Sequence, residues 1–289
     1  MRWGLPATLL VASSFLFGCN KIHNTRIARP FAINSIVSLS PSTTEIVGTT
    51  NDFNKLKGRT AADNYPVNVK SVPIVASVKP DYEAIKAINP TVILVDQSLY
   101  NASDMSKIKA LGSTLFVFNA KNLADFEKQI YAFGDLLGVQ TSEADYVARM
   151  EDAKNTAIGK KPSKPLKVAV ILSGHGGSPY ISGTGTFLAS IIAMEGGTVV
   201  GPAVDRFVPL NPETLTGESP DLVIIPTNQK AAKDDLASLT ANPTLKGVKA
   251  LQTNKVALID EDVALRQGGR VDKLIDNIGK AFSIAEAKP

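Results

Sequence analysis

The chain has 289 residues, 44% of them hydrophobic and 20% charged, with a formal net charge of +4. That length can bury one large core or two modest ones, and the composition is that of an ordinary globular protein. The positive charge is spread without a basic block, which argues against a nucleic-acid partner and at most favours anionic ligands or acidic surfaces.

Arg2 leads an apolar run over residues 5–17 that is too short to span a bilayer as a helix. The run ends in Leu16-Phe17-Gly18-Cys19, and Cys19 is the only cysteine in the chain. This resembles a bacterial lipoprotein signal over residues 1–19, with cleavage before Cys19 and lipid on its sulfur. Residues 20–33 then read as a polar tether. The mature protein is expected outside the cytoplasmic membrane, lipid-anchored, without disulfide and without tryptophan, since Trp3 leaves with the signal.

Residues 35–39 form a short apolar strand running into a helix that starts at Ser40-Pro41-Ser42, with Glu45 at capping-box spacing from Ser42. Gly58-Arg59-Thr60 and Asn64-Tyr65-Pro66 mark a second strand and its turn, and residues 72–75 a third strand. Residues 103–111 read as helix, 114–118 as strand and 123–137 as an amphipathic helix. A long helix over 142–160 follows, with Ser142 and Asp145 at its start and Gly159 and Pro162 at its end, a length of roughly 28 Å. Beyond it, residues 166–172 are a buried strand, 173–179 a glycine-rich loop and 180–182 extended. Gly183-Thr-Gly185 opens a helix to Ala193, residues 198–200 and 255–259 are strands, and 231–239 and 270–285 are helices.

One unit occurs twice. Asp81-Tyr82-Glu83 leads through Pro90 into a strand ending at Val95, and Asn211-Pro212-Glu213 leads through Pro220 into one ending at Ile225, in the same register. The predicted class is α/β: two lobes, each with a largely parallel sheet flanked by helices, joined by a single long rigid helix. The expected boundaries are 34–140 for the N-terminal lobe, 141–161 for the connecting helix and 162–289 for the C-terminal lobe.

Catalytic motifs are scarce: the chain has no G-x-S-x-G, P-loop or H-E-x-x-H. Two histidines, His23 and His175, do not provide a cage of several imidazoles for a transition metal. Glu83 and Glu213 lie in the first turn of matching helices, where a carboxylate complements the helix dipole. One carboxylate per lobe at equivalent places also suits a two-fold partner carrying arginines. Phe207 and Tyr180 are core or ligand aromatics. Asp262 and Arg266 form either a surface pair or a polar pair facing ligand at a strand's C-terminal end.

The segments 35–45, 64–66, 81–95, 182–188 with Gly196-Gly197, and 211–225 occur in the order seen in periplasmic binding proteins of cobalamin and iron-chelate importers. The resemblance covers about residues 34–285 and is greatest to the cobalamin-binding branch. It implies a bilobal binding protein, not an enzyme, with ligand in the cleft, small closure, and docking of Glu83 and Glu213 on arginines of a dimeric ABC permease with its ATPase subunits. It also implies Arg59, Asn64, Tyr65, Tyr180, Phe207, Asp262 and Arg266 as cleft residues. The protein itself is expected to be a monomer without cofactor, and its ligand a metal chelate: cobalamin, a ferric siderophore or haem. Cobalamin-binding members line the cleft with tryptophan, whereas the position here falls near Ser77, so a smaller or more polar ligand is compatible. Haem would look to Tyr65, Tyr180 or His175 for an axial ligand. The competing classes are a two-lobed chelatase-like enzyme and a structural envelope lipoprotein.

Overall fold

The computed structural model describes residues 32–50, 52–138, 140–174 and 177–287. The signal segment, Cys19, most of the expected tether and His175 lie outside the described residues. Ile33, expected at the end of the tether, is instead buried in the core.

The N-terminal lobe is built from β1 (Ile36–Ser38), α1 (Pro41–Thr49), β2 (Leu56–Thr60), β3 (Ile74–Ala76), α2 (Tyr82–Ile88), β4 (Val92–Asp96), α3 (Ala102–Lys109), β5 (Thr114–Phe118) and α4 (Leu123–Leu137). Its five strands are all parallel, in the order β3-β2-β1-β4-β5. A parallel sheet needs both faces covered, and β4 accordingly has the buried apolar run Val92, Ile93, Leu94 and Val95.

α5 (Gln140–Ile158) joins the lobes; its 19 residues span about 28 Å. It begins two residues before the expected Ser142, close behind Gly138, which closes α4 in the left-handed region (φ 74°). Its buried side chains include Tyr146, Val147, Met150 and Ala157, which pack between α4 and the C-terminal helix.

The C-terminal lobe holds β6 (Leu166–Leu172), β7 (Tyr180–Ser182), α6 (Phe187–Met194), β8 (Gly197–Val199), β9 (Phe207–Pro209), α7 (Pro212–Glu218), β10 (Leu222–Thr227), α8 (Ala232–Ala241), α9 (Lys249–Gln252), β11 (Val256–Asp260), α10 (Glu261–Leu265) and α11 (Val271–Glu286). The sheet order is β11-β10-β6-β7-β9, with β8 also on β6. β7 runs antiparallel to both β6 and β9, so this lobe is mixed at one edge.

The repeated unit is real. Asp81 and Asn211 cap α2 and α7 through their side chains, and both helices stop at a left-handed residue, Asn89 (φ 50°) and Ser219 (φ 49°). One apolar cluster runs through both lobes, from Ile36 and Ile46 by way of Phe126 and Tyr146 to Phe187, Val168 and Val271, and each lobe has a further cluster on its other sheet face. Among the described residues no helix is long and apolar enough to cross a membrane.

Candidate functional site

The C-terminal ends of the N-terminal lobe's strands face the other lobe, and the contacts across the gap fall into two groups. At the β2–β11 side the lobes are fastened by buried charge. Glu45, on α1 and 1% exposed, accepts from Arg270 Nη2 at 2.6 Å and Nε at 3.1 Å, and from Arg266 Nη1 at 3.2 Å. Arg266 also pairs with Asp262 at 2.6 Å and donates to Asn64 Oδ1 at 2.7 Å, while Asn64 Nδ2 donates to Asp262 Oδ2 at 2.7 Å. The Arg270 guanidinium lies 4.6 Å from the centroid of the Tyr65 ring.

Local chemistry explains how these groups meet. Ser40 Oγ, not Ser42, accepts from Thr43 N and caps α1, because Pro41 occupies the first helical position. Glu45 is thereby left free of capping and reaches the other lobe. The loop carrying Asn64 and Tyr65 is held by buried Asp63, which accepts from Thr44 Oγ1 and Thr60 Oγ1, both at 2.5 Å. Burial pushes the Asp63 carboxyl above its usual range, against those hydrogen bonds. Facing them, Gly268 and Gly269 pack on Glu45 so closely that a Cβ on Gly269 would stand 2.5 Å from the Glu45 carbonyl oxygen. Tyr146 on α5, fully buried, donates to Gly268 O at 2.6 Å and accepts from Val271 N at 3.1 Å.

At the β5–β9 side lies a cavity of about 390 Å³, lined from the N-terminal lobe by residues 96–98 and 119–121 and from the C-terminal lobe by Gly185, Phe187, Asp205, Arg206 and Gln267. Ligand pockets commonly hold roughly 300–1,000 Å³, and this one falls within that range. Its walls follow β4 and β5 and precede β9, the strand-end position where open α/β sheets bind ligand. Lys121 pairs across the mouth with Asp205 at 3.3 Å, and both side chains are more than half exposed (69% and 59%). Such an exposed pair contributes at most about 1 kcal/mol. Phe187 anchors the floor by an edge-on contact with Phe126 of α4 at 5.8 Å.

The expected cleft residues therefore divide. Asn64, Tyr65, Asp262 and Arg266 come together from opposite lobes, but on one another and on Glu45 and Arg270 rather than in the wall of the cavity. Arg59 is buried, donating to Val72 O and Thr60 O, and fastens the loop instead of facing a ligand space. Phe207 packs partly buried against the core, and Tyr180 is 42% exposed on β7; neither lines the cavity. Glu83 and Glu213 are exposed at matching positions of α2 and α7, with no side-chain partner among the described residues. Asp96, Lys121, Asp205, Arg206 and Gln267 were not singled out by sequence. Asp96 directly follows a predicted strand and Lys121 lies three residues beyond another, a signal that strand-end reasoning can use; Gln267 carries none. Among the described residues no three His, Cys, Asp or Glu side chains gather to hold a metal ion.

The sequence matches the periplasmic binding protein family over residues 36–263. The chain belongs to this family. It is 22% identical, over 97% of each chain, to an uncharacterized ABC transporter substrate-binding lipoprotein, YvrC, of Bacillus subtilis. Among solved structures it resembles the periplasmic vitamin B12 binding protein BtuF of Vibrio cholerae (TM-score 0.77, 18% identity, 90% of this chain and all of that one). It likewise resembles the periplasmic haem-binding protein RhuT of Roseiflexus sp. RS-1 (TM-score 0.75, 22% identity, 88% of this chain and all of that one). At these identities the structural likeness establishes the shared bilobal fold.

Proposed function

We propose that the protein is the extracytoplasmic solute-binding lipoprotein of an ABC importer, anchored through lipid on Cys19. In this reading it captures a metal-chelate ligand, a corrinoid or a ferric complex, between its lobes and delivers it to a permease dimer with its ATPase subunits. The observation that carries the reading is the cavity walled by strand ends of both lobes. Membership of a binding-protein family and a relative named as an ABC transporter lipoprotein support it. No bond chemistry is needed: the lobes supply shape, a few polar groups and limited movement.

Transfer to the permease rests on Glu83 and Glu213. Both carboxylates stand at the second position of a helix, exposed and uncommitted, one per lobe, and arginine is the cation suited to carboxylate in a docking surface. Haem is the second ligand reading, favoured by the likeness to a haem-binding protein.

A thermal-shift panel of cobalamins, haemin and ferric chelates tests the class. A ligand at 100 times its Kd adds about 2.7 kcal/mol of stability and a visible rise in Tm. No rise with any metal chelate would contradict the reading. For docking, the double variant Glu83→Ala/Glu213→Ala is expected to bind ligand normally and lose uptake; normal uptake would remove these two residues from the interface.

A further inference from the structure

Four charged residues line the cavity, and their commitments differ. Asp96 accepts from Ser98 N at 2.9 Å and Ser98 Oγ at 2.6 Å, and from Ser42 Oγ at 3.4 Å; it is occupied in shaping its own strand end. Lys121 and Asp205 hold each other. The Arg206 guanidinium has no hydrogen bond or ion pair among the described residues. Its backbone, by contrast, is firmly placed. Gly183 N donates to Arg206 O at 3.0 Å and Gly185 N to Val204 O at 3.0 Å, and a Cβ on Gly183 would stand 2.1 Å from Val204 O. The glycine turn therefore lies flat against the segment that presents Arg206, and no other side chain fits between them. An exposed, unpaired guanidinium carried on that firmly placed backbone beside a ligand-sized space is a fork of donors for planar oxygen pairs.

The neighbouring pair extends the site. Asp205 places a carboxylate on Lys121, which comes from the opposite lobe, in the geometry that a carboxylate of a bound solute would take. Both side chains are well exposed, so the pair is weakly held and open to exchange.

We propose, resting on the solute-binding reading of this cleft, that it selects anionic, carboxylate-bearing chelates over neutral ones. Arg206 is the selecting cation, and Lys121 is a second cation that Asp205 occupies until a ligand carboxylate replaces it. Binding of such a solute ties Arg206 of one lobe to Lys121 of the other and so closes the mouth of the cavity.

The test is isothermal titration of the purified full-length protein with two carboxylate-bearing probes, ferric citrate and haemin, and two neutral ones, ferrichrome and cyanocobalamin. The carboxylate probes are expected to bind at least tenfold tighter, a difference of about 1.4 kcal/mol, with affinity falling as salt is raised. Arg206→Gln should weaken the carboxylate probes at least tenfold and leave neutral probes unchanged. Asp205→Asn should strengthen the carboxylate probes several-fold, a gain that damaged folding does not produce. Tighter binding of a neutral chelate, or unchanged carboxylate affinity in Arg206→Gln, overturns the selection while leaving the solute-binding reading intact. Failure of all four probes to bind overturns both.

Discussion

Glu45 shows how much one side chain decides. It is 1% exposed and accepts from two arginines of the other lobe, so its removal leaves Arg270 without its close carboxylate partner in a nearly dry interface, while Arg266 keeps Asp262 and Asn64. Glu45→Ala should cost about 3–5 kcal/mol in urea unfolding; a loss below about 1 kcal/mol would mean that the arginines find other partners. Its spacing from Ser42 is that of a capping box, yet the proline at position 41 moves the cap to Ser40, and only the fold reveals the cross-lobe role. Glu195 is a second residue with a measurable signature. It is 2% exposed at the end of α6, its Oε1 has no hydrogen-bond partner among the described residues, and burial, with Asp276 nearby, pushes its carboxyl up to about 8. With a folded-state value raised above the ordinary 4.5, the native state holds a proton that the unfolded chain has released. This contribution to stability is complete below about pH 4.5 and is lost progressively as pH rises through about 8, amounting to a few kcal/mol at about 1.4 kcal/mol per unit. Glu195→Gln should flatten the fall in Tm between pH 5 and 9; an unchanged slope would show that Glu195 ionises freely in the native state.

Among elements, the strongly patterned ones were legible. The strand Thr114–Phe118, the helix Leu123–Leu137 and the strand Leu166–Leu172 fall on their expected bounds, because each has a clear period or an unbroken apolar run between turn residues. Three-residue strands have no period to read, so β9 and the antiparallel edge it forms with β7 went unseen, and with them the setting of Arg206. Asn64, Tyr65, Asp262 and Arg266, expected as ligand-facing, meet one another between the lobes, and whether such groups face a solute or each other depends on lobe packing that spacing does not encode. The segment 266–270 is the element most sensitive to size. A side chain on Gly269 meets the backbone of α1, so Gly269→Ala should destabilise by about 1–3 kcal/mol through overpacking, measured by chemical denaturation. A stability within about 0.5 kcal/mol of the parent would show that the segment can lift from α1 freely.

At the scale of the molecule, the two lobes are not independent bodies on a hinge. One apolar core passes through α4, α5, α6 and α11, Phe126 meets Phe187 across the lobes, and the Glu45 cluster fastens the β2–β11 side. The β5–β9 side, by contrast, is spanned by an exposed, weakly held pair. Movement on binding should therefore be small and confined to that side, as close-packed interiors shift between discrete arrangements rather than deform. The claim that solute is held between the lobes is tested most directly by hydrogen exchange with and without a saturating chelate. Added protection is expected together in residues 96–98 and 119–121 of one lobe and 183–187 and 205–206 of the other. Protection restricted to one lobe, or absent from all four segments while the chelate is bound, would contradict it.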